Sequence, residues 1–369
     1  MKTDIEQRQS IVIESMRFPL ILLVLYNHML PVTGQRIELN LSGWNCYHFI
    51  SEMISHNLAA FNITFYFLIS GYFFVHRMSR WEGGIYYKKI KKRTKSLLMP
   101  YLVWIVLLMG IIWMKSTLMN VIRTGGDTDF LELKNLSLFQ IIWGYPLLHS
   151  FWFLRDLMCM TLLTPLFYYF CKYTKVFGIL ALMVIYLGAF EPGVPGFSMT
   201  AIFFYATGVY LGMNKINILE LCGRYKWPSV IAAFCFLIFA TFFTGSPHHI
   251  HLMRMLALIL MVACVNIFDT LIRSQRIKNI LLRLSVTTFF VYAIHQIYII
   301  NWLKGALARS SLSESPAGMI IAYFLIPCIC AAICIGIYSL LRKLSPALIS
   351  LLCGGRMQPV VPVKSNKTT

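Results

Sequence analysis

Long apolar blocks alternate with shorter polar segments along the whole chain, and the blocks have the length of helices rather than strands. They predict about ten membrane helices. The first three cover 11–30, 57–76 and 97–114. A fourth opens at His149, a fifth covers 176–190 and a sixth ends near Met213. The seventh is 227–244, and the eighth ends near Asp269. The last two are 284–303 and 317–341. Pro19 predicts a kink in the first. Between the blocks, 31–56 and 115–148 read as polar loops, the second containing Gly125-Gly126-Asp127. The fold class expected is all-α, a polytopic transmembrane helical bundle.

Composition agrees with the pattern. The chain has 369 residues and is 58% hydrophobic and 13% charged, with a mean hydropathy of +0.68. A soluble domain carries about twice that charged fraction. The net charge of +19 points to cytoplasmic loops and anionic lipid rather than nucleic acid, since no zinc-finger spacing or basic stripe accompanies it. The densest basic segment is 77–96, with Arg77, Arg80, Lys88, Lys89, Lys91, Lys92, Arg93 and Lys95. Placing it inside puts most of the 33 Lys and Arg on the cytoplasmic face, with both termini there too. Residues 1–341 then form one membrane domain, and 342–369 a basic cytoplasmic tail. The N-terminal leader is acidic as well as basic and no small-residue cleavage site follows, so no signal peptide is expected. Most of the ten cysteines lie inside apolar runs, which argues against a disulfide framework.

Several polar residues interrupt the apolar blocks. Arg17 and His28 lie eleven positions apart, about three turns and roughly 16 Å along a helix. Two readings fit them. They anchor the helix at the two interfaces, or they face a protein interior and serve a function. Arg17 and Arg93, at the starts of membrane helices, suit a phosphate-bearing ligand. The Lys88–Lys92 run reads as a topology signal. His28 can take a proton from an alcohol as it attacks a carbonyl. His295 is either a second such group or a hydrogen-bonded helix contact. Ser70-Gly71 allows close helix approach, and Ser70 has no base adjacent in sequence to make it a nucleophile. Arg155-Asp156 is either a self-paired interface charge or a substrate contact. His248, His249 and His251 lack an acidic companion and read as a polar loop, so no metal is expected.

Five of these features, in order, resemble the membrane-bound acyltransferase 3 family, whose bacterial members O-acylate surface glycans. Arg17 and His28 match the family's first-helix Arg, ten residues, then His. Within Phe65 to Tyr72, the seven residues from Tyr66 match Phe-Phe-x-x-Ser-Gly-Phe, with Tyr66 and Tyr72 for Phe. Arg93 to Tyr101 match the basic run ending in Leu-Leu-x-Pro-Tyr. Trp152 to Leu154 match Trp-Phe-Leu, and Tyr292 to His295 match Tyr-Leu-x-His with Ala293 for Leu. The resemblance covers roughly residues 10–341. In one departure, many relatives carry a second Arg three positions after the one matching Arg93. Here that position is Ser96, with Lys95 beside it as the available substitute.

The resemblance implies an O-acyltransferase of the bacterial inner (cytoplasmic) membrane. It would move an acyl group, acetyl first, from acyl-CoA to a sugar hydroxyl of a surface polysaccharide or lipid-linked glycan. Arg17, Arg93 and Lys95 would hold the donor, acetyl-CoA, with no tightly bound cofactor. His28 would deprotonate the acceptor or carry the acyl group transiently. Trp152 and Arg155 would line the acceptor side, with Ser70 and His295 nearby. The alternative class is a glycan or small-solute transporter, since buried Arg and His also mark transport paths. Transporters pair broken helices in repeated halves, and Pro19, Pro165 and Pro327 form no matched pair.

Overall fold

The computed structural model describes residues 2–30, 34, 36–38, 42–59, 61–78, 80–122, 133–144, 147 and 149–356. Every regular element among them is a helix. The expected loop around Gly125-Gly126-Asp127 lies outside the described residues, as does the tail beyond 356.

The first helix, α1 (Lys2–Asn27), takes in the polar leader and passes through Pro19. Arg8 on that leader makes a two-pronged ion pair with Asp269, at 2.7 and 2.8 Å. The segment expected as a polar loop is largely helical: α2 (Gly43–Glu52) runs into a π turn over Met53–Leu58. Its polar residues are buried against protein. Ser55 Oγ lies 2.7 Å from the Tyr323 hydroxyl and donates to Tyr26 O at 2.5 Å. Glu52 pairs with His56, and Asn57 Oδ1 lies 2.9 Å from His249 Nε2. Polarity marked a loop only if solvent were the partner, and here the partners are other helices.

Next come α3 (Phe61–Val75), α4 (Gly83–Arg93) and α5 (Met99–Ile122). The helix therefore begins inside the basic segment, and a π turn over Thr94–Leu98 joins α4 to α5. The fourth block is broken up. A short α6 (Trp152–Leu162) leads into α7 (Thr164–Leu187). Pro165 sits in the first turn of α7, where a missing N–H costs nothing, and the break falls at Lys175 instead (φ 52°). Further on lie α8 (Met199–Met213), α9 (Ile218–Gly223), α10 (Lys226–Phe242) and α11 (His249–Leu271). The ninth block is α12 (Gln275–Ser285), α13 (Thr288–Ile294) and α14 (Ile300–Ala308). The last is α15 (Pro316–Leu344), followed by α16 (Pro346–Leu352).

Among the described residues six helices are long and apolar enough to cross a bilayer, and the pair Gln275–Ser285 and Thr288–Ala308, bent by 48°, makes up to seven. The apolar helices α8 and α10 are shorter. Fifteen residues rise roughly 22 Å against a hydrocarbon core near 30 Å. An apolar run reports burial, whether in lipid or in protein, and does not by itself measure helix length.

The most intimate pairing joins α3 to α8. Gly71 on α3 lies against the α8 backbone at Tyr205 and Val209, while Gly208 and Gly212 on α8 lie against the α3 backbone at Leu68 and Tyr72. A Cβ on Gly208 would come 2.0 Å from Leu68 O, and one on Gly71 would come 2.3 Å from Tyr205 O. Small residues four apart let two helix backbones touch in this way. The contact fixes the face of α3 that carries Tyr66 and Ser70.

Candidate active site

A cavity of about 230 Å³ opens beside α1 and α3. Along α1 its lining extends from Glu14 and Arg17 to Val24. From α3 come Tyr66, Ile69 and Ser70, and from the α4–α5 junction come Arg93 and Leu97. Phe153, Phe289 and Tyr292 close it with aromatic surface, and Arg356 reaches it from the C-terminal segment. One end therefore holds three guanidinium groups and one carboxylate. Glu14 receives Arg17 Nη1 at 3.1–3.2 Å and the Ser285 hydroxyl at 2.8 Å. Among the residues lining the cavity it is the one acidic side chain, so that end is strongly cationic. Burial first, then the charges of Arg93 and Arg17, lower the pKa of Arg356 from its ordinary value.

The body of the cavity is apolar and held in shape by phenolic hydrogen bonds. Tyr66 donates to Arg17 O at 3.0 Å, and Tyr292 donates to Ser150 O at 2.5 Å. Phe153 packs between them, 5.8 Å from the Tyr66 ring and 6.2 Å from the Tyr292 ring. The Ser70 hydroxyl is buried and has no hydrogen-bond partner among the described residues.

His28 lies one turn beyond Val24, its backbone N–H donating to Val24 O at 3.3 Å. The helix ends there, and Lys304 caps it by donating to His28 O at 2.9 Å. The imidazole is half-buried. Its nearest polar neighbour is the Gln296 amide nitrogen, 3.1 Å from Nε2 and 3.2 Å from Nδ1. Gln296 is itself oriented, because its carbonyl oxygen accepts the Ser150 N–H at 3.0 Å. A donor facing the ring favours the neutral imidazole over the imidazolium, which has no acceptor nitrogen. The His295 ring stands 5.1 Å away. It is fully buried, with Nδ1 3.0 Å from Val291 O and Nε2 unpartnered among the described residues.

His295 and Gln296 sit where the ninth block is broken. A π turn covers His295–Ile299, and Tyr298 takes a left-handed conformation (φ 61°). Irregular backbone at membrane depth is tolerated where it is enclosed by protein or lines a cavity. Such turns concentrate at functional sites. The sequence singles out His295 but not Gln296, whose one signal is an amide next to a histidine inside an apolar run.

The remaining candidates fall elsewhere. Lys95 is exposed and does not line the cavity. Arg155 is 8% exposed and its donors are used: two bonds to Asp156 Oδ1, at 3.0 and 3.1 Å, and one each to Trp143 O and Gly144 O, at 2.7 and 3.0 Å. It therefore braces the turn at Gln140–Gly144. Trp152 is half-buried at the start of α6. His249 is tied to Asn57, and His251 Nδ1 lies 2.8 Å from Leu187 O. Among the described residues no group of His, Cys, Asp and Glu has a metal-binding arrangement.

The molecule is a multi-pass membrane acyltransferase. The acyltransferase 3 family model, described as an acyltransferase domain, matches residues 11–339, and the chain belongs to that family. It is similar to the succinoglycan biosynthesis protein ExoH of Rhizobium meliloti (strain 1021), with 24% identity over 286 residues, 73% of each chain. No solved structure matches it.

Proposed function

We propose that this protein transfers an acyl group, acetyl first, from acyl-CoA to a sugar hydroxyl of a cell-surface polysaccharide or lipid-linked glycan. One observation carries the reading: a single cavity runs along α1 from a cationic end to within one turn of His28. Arg17 and Arg93 hold the donor's phosphates at the cytoplasmic end, through charge-assisted bonds suited to planar guanidinium groups. The thioester arm lies along the aromatic wall. The free Ser70 hydroxyl faces it as a hydrogen-bond donor. One turn beyond the Val24 end of the cavity, His28 takes the proton from the sugar hydroxyl as its oxygen attacks the thioester carbonyl. The carbon–sulfur bond breaks, and the leaving CoA thiolate recovers the proton from the imidazolium. Gln296 orients the ring, and His295 and Trp152 border the acceptor side. The name of the ExoH relative, which places it in succinoglycan biosynthesis, supports a glycan acceptor.

The same reading sets the topology in a bacterial inner membrane, with both termini cytoplasmic and about ten crossings. These are the six other long spans, α6 together with α7 up to the break at Lys175, the remainder of α7, and α8 and α10. The clustering of basic residues supports it. An introduced cysteine at Ser313 is expected to react with an impermeant maleimide added outside intact cells, while one at Lys91 reacts only after permeabilisation. The reverse pattern overturns the orientation.

The donor site is tested by titrating acetyl-CoA against purified variants. Arg93→Ala is expected to raise the Michaelis constant for acetyl-CoA by about 10- to 150-fold, the loss of one charged hydrogen bond of roughly 1.5–3 kcal/mol. Lys95→Ala, on an exposed side chain, is expected to stay within about twofold, as surface charges usually do. Equal effects of the two changes contradict a specific phosphate site at Arg93.

A further inference from the structure

The C-terminal segment was expected to be a basic tail, yet its described part is built into the cavity. Helix α16 is capped by Ser345, whose side chain accepts from the Leu348 N–H at 3.4 Å. It is fastened to α5 by Trp104 Nε1, which donates to Leu352 O at 3.0 Å. Ile349, Leu352 and Cys353 are buried. The chain then turns through Gly354 (φ 60°) and Gly355 (φ 78°), conformations that favour glycine. The turn lies directly on the α4–α5 junction: a Cβ on Gly354 would come 2.6 Å from Ser96 O, 2.8 Å from its Cα and 2.9 Å from Pro100 Cγ. Immediately after this seat comes Arg356, its guanidinium 4.5 Å above the Phe289 ring.

We propose that Arg356 is a third phosphate-binding side chain of the donor site. The inference rests on the donor reading of this cavity given above. Stacking on Phe289 covers one face of the guanidinium and leaves its N–H edge for an anion. Arg17, Arg93 and Arg356 share the cavity with the single carboxylate of Glu14, which Arg17 already engages. A ligand with more than one negative charge matches that excess. Ser96 and Lys95 do not supply the second cation at this end, since Ser96 is neutral and Lys95 is exposed. Ser96 instead forms the floor on which the Gly354 turn rests, so a cation arrives from the opposite end of the chain.

The test uses full-length protein in lipid nanodiscs with a glycan acceptor. It compares the parent, Arg356→Ala, Arg356→Lys and Arg93→Ala, each on acetyl-CoA and on S-acetylpantetheine, which lacks phosphate. The expected result is a rise of about tenfold or more in the acetyl-CoA Michaelis constant for Arg356→Ala. Its kcat stays near the parent's, Arg356→Lys recovers part of the loss, and S-acetylpantetheine kinetics do not change. If Arg93→Ala raises the constant and Arg356→Ala does not, the donor reading stands and this inference falls. If neither variant changes it, the donor reading falls as well. Equal loss on both substrates reduces Arg356 to a structural residue and overturns the proposal. So does an unchanged Michaelis constant with loss of co-purifying anionic phospholipid, which reassigns Arg356 to a lipid headgroup.

Discussion

Replacing His28 with Ala is expected to lower acyl transfer by about 10²- to 10⁴-fold, the usual contribution of a positioned general base, while the protein still folds and inserts. The imidazole follows α1 rather than standing within it and is half-buried. Its removal leaves the Lys304 cap intact, because that bond goes to the backbone oxygen. The measurement is turnover of labelled acetyl-CoA, normalised to monodisperse protein. A deeper loss, with trapped acyl-enzyme in the parent, assigns the covalent role to His28. Near-parental turnover by His28→Ala removes it from the chemistry. His295 then becomes the candidate base, since its Nε2 is buried beside His28 without a partner among the described residues. Gln296→Ala separates orientation from chemistry. It is expected to lose less than His28→Ala, because the ring stays and only its alignment is freed.

The largest structural effect is expected at Gly208. Gly208→Val places a branched side chain where even a Cβ would meet Leu68 O at 2.0 Å and Tyr72 N at 2.8 Å. Both obstacles are helix backbone, which cannot rotate away as a flexible side chain can. Overpacking in a well-packed core costs about 1–3 kcal/mol and sometimes more. Here the two helices must separate, so about 3 kcal/mol or more is expected, enough to abolish monodisperse yield. Gly223→Val is the control, because nothing lies within 4 Å of a Cβ there. The readout is the monodisperse fraction on size exclusion in mild detergent and its midpoint on heating. A Gly208→Val protein as stable as the control contradicts the backbone contact.

The sequence made the polar residues of the site visible where they stood alone in apolar runs. Arg17, His28, Ser70 and His295 stand out that way, because a polar group in an apolar block calls for a reason, whereas Arg93 stands out within a basic run only by its place at the start of a membrane helix. Residues whose role depends on distant chain were not visible. Arg356 reads as one more basic residue of a tail until the Gly354 turn places it beside Phe289. Gln296 gains meaning only from the Ser150 N–H and the His28 ring. The helix at Gly43–Glu52 was read as a loop because its polar side chains were assigned to water, whereas Ser51, Glu52, Ser55 and Asn57 are buried against helices from other parts of the chain. The pair Gly208 and Gly212 carried a usable sign, the small-residue spacing of four. Its partner helix was not legible from spacing, although Gly71 had been noted for close approach. Helix ends follow the apolar runs: the expected helix over 227–244 is α10 (Lys226–Phe242), the sixth ends at Met213, and the expected start at 176 falls at the Lys175 break.

The central claim is that an acyl group moves from CoA to a glycan hydroxyl inside this protein. The direct measurement is mass spectrometry of a surface polysaccharide incubated with purified protein and acetyl-CoA labelled in the acetyl group. The account predicts an alkali-labile ester carrying the label, formed in step with free CoA and absent with His28→Ala. Unlabelled glycan after CoA turnover, or glycan moved across a proteoliposome membrane with its mass unchanged, contradicts it.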